Sequence, residues 1–294
     1  MRSTRGGITL AEEQPPRGGP RWIARGIILS LVALVGLGAW FGGRSLVLGV
    51  LGPRCQATAA GNSVDFDPEQ MSNAATITAI ALKRGLPARA ATIALATAIQ
   101  ESKLRNIRYG DRDSVGLFQQ RPSQGWGTVE EILDPEYSTN KFYDALVKVD
   151  DWESATITVV AQKVQRSAYP EAYADHEQEG RILASTLAGH SPRGFGCRLD
   201  DPQGEADVAM VERLLTNEYD LKAAGGDGTL TVTAPSDQFA WSIAAWSVAK
   251  AVDTGITGVT VSDRRWTRSR DSDAWTWQTT DSPAGTRQVV LHLT

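Results

Sequence analysis

Histidine and cysteine are scarce in this chain, and their scarcity removes whole classes of chemistry. Three histidines occur in 294 residues, His176, His190 and His292. They are widely spaced and have no Cys or His partner at metal-ligand spacing, so no zinc site is indicated and no metal or other cofactor is expected. The two cysteines, Cys55 and Cys197, sit at the edges of the central segment, which leaves no thiol beside a base for a cysteine-histidine peptidase. Basic charge is also missing where a polyanion would need it. Seven Arg and two Glu occur up to Arg54, and beyond it 23 basic residues face 32 acidic ones. An acidic body without a basic footprint argues against nucleic acid as a partner. There is no internal repeat, and no low-complexity tract beyond the first residues.

What is present begins with a long apolar run. Residues 26–43, GIILSLVALVGLGAWFGG, carry no charge, close to the roughly 20 apolar residues that cross a bilayer. Arg2, Arg5, Arg17, Arg21 and Arg25 precede it, and positive charge is retained on the cytoplasmic side. The expectation is a cytoplasmic tail over residues 1–22, a transmembrane anchor within 23–51, and an extracytoplasmic remainder held at the cytoplasmic membrane by one N-terminal helix. A cleaved signal peptide is the alternative, with Ala57, Thr58 and Ala59 as the small-residue stretch. A lipoprotein reading fails because Pro53 and Arg54 precede Cys55. Outside the cytoplasm disulfides persist. Pairing Cys55 with Cys197 would contribute about 5 kcal/mol in the chain-entropy model; two buried free thiols are the alternative.

After a linker over 52–66, Asp67 and Pro68 read as a helix start, and Ile77, Ile80 and Ala81 recur at helical spacing until Gly85 and Pro87 break the pattern. A second helix is expected over 89–104, with Ile93, Ala96 and Ile99 on its apolar face. Further helices are expected over 140–149, 154–165 and 173–188, closing a domain over 67–198. Residues 199–294 read differently. Strands are expected over 229–234, 258–262, 274–279 and 287–293, with a helix over 239–252 capped by Ser236 and ended by Gly255. That pattern describes a small α+β domain.

The chemistry concentrates near the end of the second helix. Glu101 faces the negative end of the helix dipole, which favours a protonated carboxyl; shielding by Ile99, Leu104 or Phe118 would raise its pKa further, as a general acid requires. A lone helix glutamate is usually a solvated surface charge. Here the run Ala98-Ile99-Gln100-Glu101-Ser102-Lys103-Leu104, followed by Ser114-Val115-Gly116-Leu117-Phe118-Gln119, resembles the glutamate-serine and glycine-leucine-x-glutamine motifs of lytic transglycosylases and goose-type lysozymes. Between Pro68 and Glu177, the stretch GLFQQRPSQGWGT and the run from Ala161 to Ser167 are similar to transglycosylase-like domains of actinobacterial cell-wall and phage proteins.

The resemblance implies a mainly α, lysozyme-like domain that cleaves the bond between N-acetylmuramic acid and N-acetylglucosamine in peptidoglycan, with Glu101 as acid and base. It implies substrate contacts around Ser102, Ser114, Gly116, Leu117, Phe118, Gln119 and Gln120. Gly116 would let backbone approach the sugar, and Gln119 or Gln120 would offer amides to acetamido and hydroxyl groups. The family's alanine-tyrosine-asparagine motif has no match; Gln165 or Tyr169 would stand in for its tyrosine, Tyr169 before Pro170 being a core aromatic in the alternative. Asp111 and Asp113 are the nearest candidates for a second carboxylate, or else a solvated turn. Trp126 would stack on sugar or simply pack. The five tryptophans from Trp241 to Trp277 fit a buried core better than a sugar site. The alternative function is a non-catalytic wall-binding or scaffold protein.

Overall fold

Where the sequence read as linker, the chain forms a strand, and residue alternation explains it. In RCQATA, Cys55, Ala57 and Ala59 point inward while Arg54, Gln56 and Thr58 are less buried, the period-2 pattern of a half-buried strand. The computed structural model describes residues 52–165 and 170–293. In it β1 (Arg54–Ala59) turns through Ala60 and Gly61, at φ 50° and 78°, into β2 (Asn62–Phe66). Two left-handed residues in a two-residue loop match the right-handed twist of a hairpin. On its other side β1 pairs antiparallel with β3 (Phe195–Arg198), giving the order β2-β1-β3. Cys55 lies opposite Cys197 in that ladder, and the two form a disulfide.

Helix α1 (Pro68–Lys83) starts at a capping box: Asp67 accepts from the Gln70 amide, and the Gln70 side chain accepts from the Asp67 amide. Its residues from Met71 to Ala81 are buried all round. Helix α2 (Ala88–Ser102) is equally rich in alanine and threonine, and small side chains let helices approach closely. A Cβ on Gly180 of α6 (Glu177–Leu187) would lie 2.8 Å from the Thr92 carbonyl, so α6 rests directly on α2. Between them run the short α3 (Val129–Ile132), α4 (Pro135–Leu146) and α5 (Ile157–Gln165). Helix α4 begins earlier than expected because Asp134 caps it, accepting from the amides of Glu136 and Tyr137. A 3-10 turn, Pro170–His176, occupies the start of the helix expected at 173.

The second sheet is antiparallel in the order β4-β5-β9-β6-β7-β8. Its strands are β4 (Ala223–Gly226), β5 (Thr229–Thr233), β6 (Ile256–Val261), β7 (Arg264–Thr267), β8 (Gln278–Thr279) and β9 (Gln288–Leu293). Helices α7 (Val208–Tyr219), α8 (Asp237–Ala249) and α9 (Ala251–Thr254) complete this part. Helix α8 is capped by Ser236, and Gly255, at φ 76°, ends α9.

The expected fold class, a mainly α lysozyme-like domain with a membrane helix before it and a small α+β domain after it, is corrected. Nine helices and nine strands in two antiparallel sheets make up the described residues, and Pro53–Thr294 form one compact unit. Its apolar core runs continuously from Cys55 in β1 to Leu293 in β9. Among the described residues no helix is long and apolar enough to cross a membrane; residues 26–43, read from the sequence as a span, lie outside them.

A buried polar knot joins the helical and strand-rich parts. The Glu218 carboxylate of α7 accepts from Thr76 Oγ1 of α1 at 2.9 Å and from Trp246 Nε1 of α8 at 2.6 Å. Lys250 Nζ lies 3.3 Å from the same carboxylate and donates to Thr76 Oγ1 at 2.6 Å. Glu218 and Lys250 are 1% and 5% exposed, and a charge buried that deeply is tolerable only when paired. Glu218→Leu leaves the Lys250 ammonium unpaired and is expected to cost about 3–5 kcal/mol in urea unfolding, most of it recovered by adding Lys250→Met; equal losses in the single and double variants would show that the pair is not what matters.

Candidate active site

Helix α2 stops abruptly after Glu101 and Ser102 because Lys103 and Leu104 both take left-handed backbone, at φ 56° and 59°. That conformation costs about 1–2 kcal/mol per non-glycine residue, and α1 holds it in place. Gln70 Nε2 donates to the Lys103 carbonyl at 2.7 Å, and Asn73 Nδ2 to the Leu104 carbonyl at 2.8 Å. The Leu104 side chain is fully buried. Arg105, next along, pairs with Asp67 and Glu69 at the start of α1. The capping box that begins α1 therefore also fixes the end of α2.

The chain then makes a loop closed by a bridge between Val115 and Gln120. Gly116 needs to be glycine: its φ is 81°, and a Cβ would stand 2.8 Å from the Ile132 carbonyl. Two side chains clamp the tip of this loop. Ser102 Oγ donates to the Leu117 carbonyl at 2.7 Å, and Gln165 Nε2, from the last turn of α5, donates to the Phe118 carbonyl at 2.6 Å. The Phe118 ring stacks on Phe142 of α4, with centroids 4.6 Å apart.

Glu101 sits in the last turn of α2, half-buried. Tyr173 Oη donates to its Oε1 at 2.6 Å, and the Gln165 amide also hydrogen-bonds to the carboxylate. Burial pushes the Glu101 carboxyl above its ordinary value; the Tyr173 and Gln165 hydrogen bonds oppose this but do not cancel it. The helix dipole acts in the same direction as burial. Next to Gln165 opens a cavity of about 480 Å³, which Trp126 also lines.

Around Glu101 the structure gathers Ser102, the carbonyls of Leu117 and Phe118, and Gln165. The Ser102 hydroxyl and the Gln165 amide are engaged with the loop, and the Leu117 and Phe118 side chains belong to the core. Gln119 donates back to the Gly116 carbonyl at 3.2 Å, within its own turn. Gln120 is 2% exposed and donates to the Ser138 carbonyl of α4 at 3.1 Å. Ser114 is buried beneath the loop, its amide on the Asp111 carbonyl. Tyr169 lies outside the described residues. Asp113 is held far below the usual carboxylate range by the Ser123 amide, Arg121 and the Ser123 hydroxyl, and Asp111 is 89% exposed beside Arg112. Among the described residues no cluster of His, Cys, Asp and Glu could hold a metal ion.

Sequence reasoning missed Tyr173. Ala172-Tyr173 and Ala168-Tyr169 both match the first two positions of the alanine-tyrosine-asparagine motif, so the sequence offered two tyrosines and no way to rank them.

A carboxyl whose pKa is higher folded than unfolded gives the folded state extra protons between the two values. Stability is therefore lost as pH rises from the ordinary glutamate range through the raised value of Glu101. Gln cannot ionise, so the melting temperature of Glu101→Gln relative to wild type should be higher at pH 7 than at pH 4. A difference independent of pH would mean that burial does not penalise the charged form.

Compared with known proteins, the chain matches no family model and no curated protein.

Proposed function

We propose that this protein cleaves the glycan strands of peptidoglycan between N-acetylmuramic acid and N-acetylglucosamine, using Glu101 first as general acid and then as general base. One observation carries the proposal: a half-buried carboxyl at the end of a helix, pushed above its ordinary pKa by burial and oriented by Tyr173 and by Gln165, the latter also lining a cavity. The likeness of the Glu101-Ser102 and Gly116-Gln119 segments to lytic transglycosylases supports it.

Protonated Glu101 gives its proton to the glycosidic oxygen as the bond to the muramoyl C1 breaks, leaving an oxocarbenium-like centre. The resulting carboxylate is stabilised by the Tyr173 hydroxyl. It then takes the proton of the muramoyl C6 hydroxyl while that oxygen bonds to C1, which closes a 1,6-anhydro ring and returns Glu101 to its starting state. No second carboxylate is required. This favours ring closure over hydrolysis, because Asp113 is bound to Arg121 and Ser123 and Asp111 stands in solvent. A wall-binding protein without activity remains the alternative, and the Glu101 variant separates the two.

On purified sacculi, wild-type protein should release anhydro-muropeptides detectable by mass spectrometry, and Glu101→Gln should lower the rate by about 10²-fold or more. No release by wild type would favour the wall-binding alternative. Tyr173→Phe removes a hydrogen bond that holds the Glu101 pKa down. The alkaline limb of the pH-rate profile, where the acid loses its proton, should therefore move to higher pH; a limb that stays put or moves down would remove Tyr173 from this role.

A further inference from the structure

The cavity beside Gln165 has a charge opposite to that of the protein around it. Seven lysines occur in the whole chain, and three of them, Lys141, Lys148 and Lys163, line this one cavity of about 480 Å³. The one carboxylate in its wall, Asp144, is paired with Arg84 at 2.7 Å. Lys141 lies over the Tyr137 ring, 5.2 Å from its centroid. Among the described residues neither Lys148 nor Lys163 has an ion-pair partner. Clustered charge of one sign in a concave wall focuses its field and concentrates ligands of the opposite sign. Here that happens in a chain of formal net charge −4. Trp126 adds an apolar face to the same wall.

Gln165 connects this cavity to the site of Glu101, since one side chain lines the cavity and bonds both the Glu101 carboxylate and the Phe118 carbonyl. Where its muramoyl lactyl groups are amide-linked to peptide stems, a glycan strand is uncharged along its sugar backbone, and the free carboxylates are those of the stems. We propose that Lys148 and Lys163, with Lys141 beside them, form an anion-binding subsite for the carboxylates of a peptide stem, so that the preferred substrate is peptide-bearing rather than stripped glycan. This deepens the proposal made above and rests on it for the identity of the ligand. Ammonium groups suit the task because they bind carboxylates through charge-assisted hydrogen bonds that tolerate several geometries.

The test measures binding, not turnover, and uses the full chain with Glu101→Gln to prevent cleavage. Two probes are titrated at low salt: soluble glycan strands bearing peptide stems, and the same strands after an amidase has removed the stems and the lactyl carboxylates this frees have been capped as methyl amides. The Glu101→Gln protein should bind the peptide-bearing strands roughly tenfold more tightly, and added salt should shrink that preference. Adding Lys148→Gln and Lys163→Gln should abolish the preference, and Lys148→Arg with Lys163→Arg should retain it. Both lysines are exposed, so these changes leave the core intact, and a melting curve verifies it. Equal binding of the two probes, binding of neither, or a preference that survives loss of both lysines overturns the subsite. Displacement of the peptide-bearing strands by a glycerol-phosphate oligomer at lower concentration than by a free stem peptide also overturns it, in favour of phosphate. Because cleavage is not read, an inactive wild-type protein would count against Glu101 without deciding the fate of the lysines.

Discussion

The turn at the end of α2 is the constraint from which the site follows. Two consecutive left-handed residues, Lys103 and Leu104, are unfavourable on their own, and bonds from their amides to the Ile99 and Ala98 carbonyls of α2 help to enforce them. Gln70 and Asn73 do so from α1, each with one amide on one carbonyl. Gln70 closes the capping box of α1 in the same conformation, so one side chain both begins a helix and ends its neighbour. Glu101 therefore stays in a final helical turn instead of running on into a longer helix. There the dipole and partial burial both favour its proton.

A second consequence concerns the loop from Gly116 to Gln119. Its residue types suggest sugar contacts, yet most of its polar groups are already engaged. Leu117 and Phe118 are anchored by their side chains in the core and by their carbonyls to Ser102 and Gln165. Such a loop is a rigid wall beside Glu101, and in the proposed reaction that rigidity would keep the acid and its surroundings in one geometry. Tyr173, in a 3-10 turn that leads into α6, supplies the hydrogen bond that orients the carboxylate.

Much of this was legible in the residues, and the omissions have physical causes. The Asp67-Pro68 start of α1, the Gly85 break, the Ser236 cap and the Gly255 stop each depend on local backbone chemistry, which is written in adjacent positions. So is the place of Glu101 near a helix end. Strand β1 was hidden because its inward residues are a cysteine and two alanines, a weak alternation in a stretch that looked like a linker. The knot of Thr76, Glu218, Trp246 and Lys250 could not be read at all. Thr76 and Lys250 lie 174 positions apart, and nothing local marks Glu218 as buried. That knot links two compositionally different halves whose apolar residues form one cluster. Tyr173 is marked as the partner of Glu101 only by the hydrogen bond between them, which joins residues 72 positions apart.

At the centre stands a carboxyl that resists ionisation. Carbon-13 NMR of the Glu101 side-chain carboxyl, assigned by its loss in Glu101→Gln and followed across pH, measures this directly. The account predicts a midpoint above that of the exposed glutamates in the same spectra. A midpoint at or below theirs would contradict it.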